Sequence, residues 1–212
     1  MFTGIIEEVG KIVEVKDTDD FRSVRIDARK VLDEMQPGTS IATNGVCVTA
    51  RTVDESSFTV DLSRETLNRT TLANISVGAL VNLERPMTAN SRFGGHIVQG
   101  HVDGIGQISR FDRTADNWML EIGYGTEMPS RVVWKGSIAI DGISLTIAAI
   151  EKHSFSIAII PQTLENTNLL YAQPGQKVNL EFDILAKYLE KLVEPYLKQL
   201  QESFPDLLPF SK

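Results

Sequence analysis

A single cysteine, Cys47, rules out an internal disulfide in this chain of 212 residues, which fits a reducing compartment. Histidine is almost as scarce, with only His96, His101 and His153. The first two lie five residues apart with no third ligand type nearby, which argues against a zinc site. Basic charge is in deficit: 21 Lys and Arg face 28 Asp and Glu, for a net charge of −7. A nucleic-acid partner, which calls for clustered positive charge, is not expected. No apolar run approaches the roughly 20 residues that span a bilayer. The start, Met1-Phe-Thr-Gly-Ile-Ile-Glu-Glu, lacks the basic and apolar stretches of a signal peptide. A cytoplasmic protein with no membrane association is expected. Missing too are a phosphate loop ending in Gly-Lys-Ser/Thr, a Gly-x-Gly-x-x-Gly opening a helix, His-Glu-x-x-His and Gly-x-Ser-x-Gly.

What the chain has instead is a long internal repeat. Ser40-Ile-Ala-Thr-Asn-Gly-Val-Cys-Val-Thr-Ala50 returns as Ser137-Ile-Ala-Ile-Asp-Gly-Ile-Ser-Leu-Thr-Ile147, 97 residues later. Phe58 answers to Phe155, Thr66-Leu67 to Thr163-Leu164, and Val81-Asn-Leu-Glu84 to Val178-Asn-Leu-Glu181. Upstream, Gly4 and Gly10 answer to Gly100 and Gly106 at an offset of 96. A period this long is a whole small domain rather than a solenoid unit. Each copy reads as about six short strands. Phe58-Thr-Val-Asp-Leu62 alternates apolar and polar residues. Asn44-Gly45 and Asp141-Gly142 carry the type I′ hairpin signal. Residues 66–72 are weakly helical at best. Such strands with little helix predict a small closed antiparallel barrel, all-β, in each copy. The first strand of each is expected to end at a glycine, Gly4 or Gly100, beside which a ligand could approach the backbone.

After the second copy the pattern changes. Leu185, Leu189, Leu192, Val193, Tyr196, Leu197 and Leu200 recur at helical spacing. Pro195 is expected to kink or interrupt this helix. Its apolar face has no barrel core to join and is expected to pack on another subunit. Phe204 to Lys212 is expected to be irregular. The predicted units are therefore 1–88 and 96–184, the two barrels, and 185–203, a C-terminal helix.

For chemistry, Cys47 beside a hairpin is either a nucleophile or a small buried hydrophobe. Its counterpart is Ser144, so both copies place a small polar group at one point. His101 answers to Ile5, while His153 sits in a turn and reads as surface. Ser40/Ser137, Thr49/Thr146 and Thr66/Thr163 are polar in both copies. Matched polar positions suggest two similar pockets for similar ligands, and the divergent pairs Cys47/Ser144 and Ile5/His101 would give two bound molecules different roles. Facing pockets would hold two copies of one small molecule in near-attack geometry.

Met-Phe-Thr-Gly-Ile-Ile at the start, Asn-Gly-Val-Cys-Val-Thr (44–49), Gly-Gly-His-Ile-Val-Gln-Gly-His-Val-Asp (94–103), Lys-Gly-Ser-Ile-Ala-Ile-Asp-Gly-Ile-Ser-Leu-Thr (135–146) and the paired Val-Asn-Leu-Glu resemble riboflavin synthase of the alpha-chain type, over essentially the whole chain. The resemblance implies tandem six-stranded Greek-key barrels and a C-terminal α-helix that assembles a homotrimer. It implies dismutation of two molecules of 6,7-dimethyl-8-ribityllumazine with no metal or redox cofactor, between the N-terminal barrel of one subunit and the C-terminal barrel of its neighbour. An association with lumazine synthase is left open. Carried over by position, Gly4, Ile5, Ile6, Cys47, Val48, Thr49, Asp61, Leu62, Ser63, Arg64, Glu65 and Thr66 would line the first pocket. Gly100, His101, Val102, Lys135, Ser144, Leu145, Thr146, Ile159, Ile160, Pro161, Gln162, Thr163 and Leu164 would line the second. Cys47, His101 and Ser144 would be catalytic, with Ser40, Asp141 and Asp183 as weaker support. The competing reading is a non-catalytic lumazine- or flavin-binding antenna protein. Such relatives tend to lose the cysteine, the second-barrel histidine and the terminal helix, all of which this chain keeps.

Overall fold

The computed structural model describes residues 1–114, 117–125 and 131–203. The first copy forms β1 (Glu8–Asp17), β2 (Arg22–Asp27), β3 (Ser40–Thr43), β4 (Val46–Val53), β5 (Ser57–Leu62) and β6 (Leu80–Glu84). The second forms β7 (Gly104–Thr114), β8 (Asn117–Gly123), β9 (Ser137–Ile140), β10 (Ile143–Ile150), β11 (Ser154–Ile159) and β12 (Lys177–Phe182). Each set closes into an antiparallel barrel of the same order, β1-β2-β5-β4-β3-β6 and β7-β8-β11-β10-β9-β12. Closure leaves no free sheet edge. Even the irregularities repeat: register shifts at Ile12/Glu14 and Ala50/Thr52 return at Ile108/Arg110 and Ile147/Ala149. Alternation does what it predicts. Ile12, Ile26, Ile41, Phe58, Val81 and Leu83 fill one barrel, and Ile108, Leu120, Ile138, Phe155, Val178 and Leu180 the other. Each such burial stabilises the fold by about 1.5–3 kcal/mol.

The hairpins form as expected. Asn44 and Gly45 have φ of 45° and 73°, and Asp141 and Gly142 of 45° and 81°. Three expectations need correction. Residues 64–74 are more helical than read: α1 (Arg64–Arg69) precedes a 3-10 turn at Thr71–Asn74. Ser63 accepts from the Thr66 N–H and Thr70 from the Leu72 N–H, and these caps offset the poor intrinsic propensity. Its counterpart α2 (Pro161–Glu165) starts on a proline, which needs no N–H partner there. Second, Pro195 does not interrupt the helix but lies inside α3 (Ile184–Ser203). Proline removes one hydrogen bond from the ladder; Lys191, four residues back, is on exposed helix, where water can satisfy the freed carbonyl. Third, Gly4 and Gly100 do not end a strand. They lie before β1 and β7, with φ of 78° and 79°. Residues 204–212, expected to be irregular, lie outside the described residues. Among those described, no helix is long and apolar enough to cross a membrane.

α3 is tied to the second barrel by Lys187–Asp103 at 2.6 Å and Arg131–Glu190 at 2.7 Å. Leu185, Tyr188, Leu189, Leu192 and Tyr196 are each 61–67% exposed.

The barrels meet about a pseudo-twofold axis. Phe2 bridges Val98, and these two bury with Ala42 and Ala139. The two hairpin tips touch: a Cβ on Gly45 would stand 2.5 Å from the Gly142 nitrogen. Around them runs a buried amide network. Asn82 donates through Nδ2 to the Asp141 carbonyl at 3.0 Å, and Asn179 to the Asn44 carbonyl at 2.8 Å. The Asn168 and Thr71 N–H groups donate to the Asn82 and Asn179 side-chain oxygens, at 2.7 and 2.8 Å. Asn168 Nδ2 also reaches Asn44 Oδ1 and Asp141 Oδ2, at 3.3 and 3.2 Å.

Candidate active site

The hairpins β3–β4 and β9–β10 set the site. Cys47 pairs Ala42 and Thr49 pairs Ser40; Ser144 pairs Ala139 and Thr146 pairs Ser137. Period-2 alternation sends Val48 and Leu145 into the barrels. Cys47, Thr49, Ser144 and Thr146 therefore sit on the outer face. Leu62, Ile159 and Leu164 are also core residues. Ser63, Arg64 and Glu65 at the head of α1, and Ile160, Pro161 and Gln162 at the head of α2, are exposed, whereas Thr66 and Thr163 are half-buried. Asp61 is linked to Arg51 at 3.2 Å.

The leading segments cross over. Ser144 N–H donates to the Gly4 carbonyl at 2.8 Å, and Cys47 N–H to the Gly100 carbonyl at 2.9 Å. A Cβ on Gly4 or Gly100 would lie 2.5 Å from that of Ser144 or Cys47. Ile6 packs on the core of the second barrel and Val102 on that of the first. Gly4, Ile5 and Ile6 thus join Ser144, while Gly100, His101 and Val102 join Cys47. This reverses the expected grouping. The approach of backbone expected from a ligand is made by the protein itself. Each of these junctions, a candidate crevice, is built from both copies, with Ile5 exposed at one and His101 at the other.

Two buried carboxylates hold the crossing. Glu84 accepts from Thr3 N–H and Oγ1 (both 2.7 Å) and from Gly4 N–H (2.9 Å). Glu181 accepts from the N–H groups of Gln99, Gly100 and His101, at 2.7, 2.9 and 3.1 Å. Burial pushes both carboxyls above the usual range, against those hydrogen bonds. Both glutamates close the repeated Val-Asn-Leu-Glu, so the signal was visible, though it marked a clamp rather than a pocket. Asp141, a candidate for support, belongs to the amide network between the barrels. Asp183 accepts from the Leu185 N–H at the start of α3. His153 is exposed, as expected.

Lys135 takes a left-handed conformation, φ 61°, where the first copy has Gly38 at 95°. Its N–H donates to the Ile147 carbonyl at 3.0 Å, and its Nζ stands 5.7 Å from the Trp134 ring centroid. A cleft of about 610 Å³ beside Ile5, Glu84 and Arg85 contains neither Cys47 nor Ser144, so it is not where the paired polar groups converge.

The lumazine binding domain matches residues 3–86 and again 99–183. The riboflavin synthase of Actinobacillus pleuropneumoniae is 46% identical over 193 residues, 91% of this chain and 90% of that protein. The chain belongs to the riboflavin synthase family. Members from Bacillus amyloliquefaciens and Mycobacterium tuberculosis are 40% and 42% identical, each covering 91% of this chain and 90% and 98% of their own lengths. Among solved structures, LumP complexed with riboflavin is similar with a TM-score of 0.81 at 25% identity, over 86% of this chain and 99% of that one. LumP complexed with 6,7-dimethyl-8-(1'-D-ribityl) lumazine gives 0.78 at 24%, over the same shares, and speaks to the fold alone.

Proposed function

We propose that the protein is a riboflavin synthase, a transferase that dismutates two molecules of 6,7-dimethyl-8-ribityllumazine. One passes a four-carbon unit to the other, giving riboflavin and 5-amino-6-(D-ribitylamino)uracil. Membership of the family supports this, and one observation carries it: two matched junctions on the outer faces of the barrels, the candidate crevices, that differ at Cys47 in one and Ser144 in the other. Identical substrates in equivalent sites need such a difference to take different roles. The C7 methyl of the lumazine is acidic because the ring delocalises the anion. Orientation and modest proton transfer, about 10²–10⁴-fold for a well-placed group, are then what the protein must supply. Cys47, His101 and Ser144 are the groups we assign to the reacting carbons, with the crossed segments and the heads of α1 and α2 lining the two pockets.

The finer reading goes with it. The units are 1–88, 96–184 and 185–203. The exposed apolar face of α3 assembles a homotrimer, which places the N-terminal barrel of one subunit against the C-terminal barrel of the next. The enzyme is cytoplasmic, and it is a candidate to associate with lumazine synthase. The test mixes purified protein with 6,7-dimethyl-8-ribityllumazine and follows flavin absorbance. One riboflavin per two lumazines consumed is expected, from a species sedimenting as a trimer. Tight lumazine binding with shifted fluorescence and no riboflavin would make the chain an antenna-type binder.

A further inference from the structure

The two crevices differ by more than thiol against hydroxyl. His96, from the segment joining the barrels, is 6% exposed and its Nδ1 lies 2.7 Å from Ser144 Oγ. The backbone around this contact is held on both sides. His96 N–H donates to the Thr3 carbonyl at 3.2 Å, and Ser144 N–H donates to the Gly4 carbonyl at 2.8 Å. Thr3 and Gly4 are covalent neighbours, so Thr3, His96, Ser144 and Gly4 form a closed ring of hydrogen bonds, which Glu84 anchors from below. Gly95 permits the approach: a Cβ there would stand 2.1 Å from the Thr3 oxygen and 2.9 Å from Ser144 Oγ. The Cys47 crevice has the matching backbone bond to Gly100. Among the described residues, its thiol makes no hydrogen bond.

His96 Nε2 is buried with no partner among the described residues. Leaving a buried polar atom without a partner is unfavourable, and an apolar ring of similar volume would avoid it. Burial also holds the imidazole below its ordinary pKa, opposed by the charge of Asp183. Near neutral pH it is uncharged and has a single polar contact, Ser144.

We propose that His96 is a positioning residue that fixes the Ser144 hydroxyl toward the substrate in the second crevice, a constraint the Cys47 crevice lacks. It rests on the assignment of Ser144 to the reaction above. The experiment compares His96→Leu, His96→Asn, His96→Gln, Ser144→Ala and the double variant His96→Leu/Ser144→Ala in the full-length enzyme. The readouts are kcat, KM and a fluorescence titration with the lumazine. His96→Leu is expected to lower kcat about 10–100-fold, the range for groups that orient a functional side chain, with KM moved less than about threefold. In the Ser144→Ala background the same substitution should change nothing further. Asparagine sets a polar atom where Nδ1 stands and should recover most of the rate; glutamine, whose amide reaches further, should not. Equal losses in both backgrounds, or asparagine no better than glutamine, would overturn the proposal. Should His96→Leu fail to fold, the asparagine–glutamine pair decides alone. A wild-type chain that makes no riboflavin would instead sink the functional reading.

Discussion

The two barrels share strand order, bulges, hairpins and a buried glutamate, yet they part company at a handful of points. Cys47 faces Gly100 with a free thiol, while Ser144 faces Gly4 with its hydroxyl held by His96. Asn44 is neutral where Asp141 carries an ionisable group. Gly38 adopts a left-handed backbone freely where Lys135 is forced into it. Duplication fixed the frame, and of these differences Cys47/Ser144 and Asn44/Asp141 lie where the copies touch each other. A repeat supplies two equivalent sites at once, but a reaction between identical molecules needs inequivalent ones.

The largest expected effect tests whether the crevices are built crosswise. Glu84→Ala and Glu181→Ala each leave three donors without their acceptor, so each should cost about 3–9 kcal/mol at about 1–3 kcal/mol per orphaned group. The damage should cross over. Glu181, in the second barrel, holds Gly100 against Cys47. Glu181→Ala should therefore raise the alkylation rate of the sole cysteine, in the first barrel, and Glu84→Ala should leave it near the wild-type rate. Faster labelling in Glu84→Ala, with no change in Glu181→Ala, would contradict the crossing.

Next comes the Asn44/Asp141 difference. Burial pushes Asp141 up to about 7 from 3.8, against hydrogen bonds from Asn179 and Asn168. The folded state then holds the proton more tightly than the unfolded one. Stability from this group is fully present below about pH 4 and is lost as pH rises through about 7. At about 1.4 kcal/mol per unit of pH, Asp141→Asn should stabilise the protein by about 2–4 kcal/mol at pH 8 and little at pH 4. Asn44 shows how an amide fits there, one oxygen accepting from Asn82 N–H and Asn168 Nδ2. Denaturant midpoints at the two pH values, unchanged relative to each other by the substitution, would show that Asp141 is ionised at no cost in the fold.

The smallest concerns Lys135. A non-glycine left-handed residue costs about 1–2 kcal/mol, so Lys135→Gly should raise stability by about 1 kcal/mol while weakening lumazine binding. Gly38→Lys, which has open space around its Cβ position, should lose about the same stability with binding retained. Melting curves and fluorescence titrations on the pair would tell strain kept for function from strain alone.

Much of this could be read in the chain. The 97-residue register, the alternation around Phe58 and Phe155 and the Asn-Gly and Asp-Gly turns carried the barrels, because these are local patterns. Several polar matches were legible as matches but not in their meaning. Asn82/Asn179 and Asn44/Asp141 bind the barrels together, and Glu84/Glu181 clamp a crossing segment, since a buried polar residue and a ligand-facing one leave the same trace in a sequence. His96 has no repeated partner to mark it, and its link to Ser144 spans 48 residues. Pro195 does not end α3, because an exposed helix can leave the freed carbonyl to water.

Sequence by itself determined that there are two barrels, where their turns fall, and which pairs diverge. Alternation and turn chemistry act within a few residues and need no partner. Only the tertiary structure decided which leading segment completes which crevice. That choice depends on hydrogen bonds and close backbone contacts, Gly4 to Ser144 and Gly100 to Cys47, between residues about 140 and 53 positions apart. Either pairing satisfies the local pattern; packing across the pseudo-twofold axis selects the crossed one.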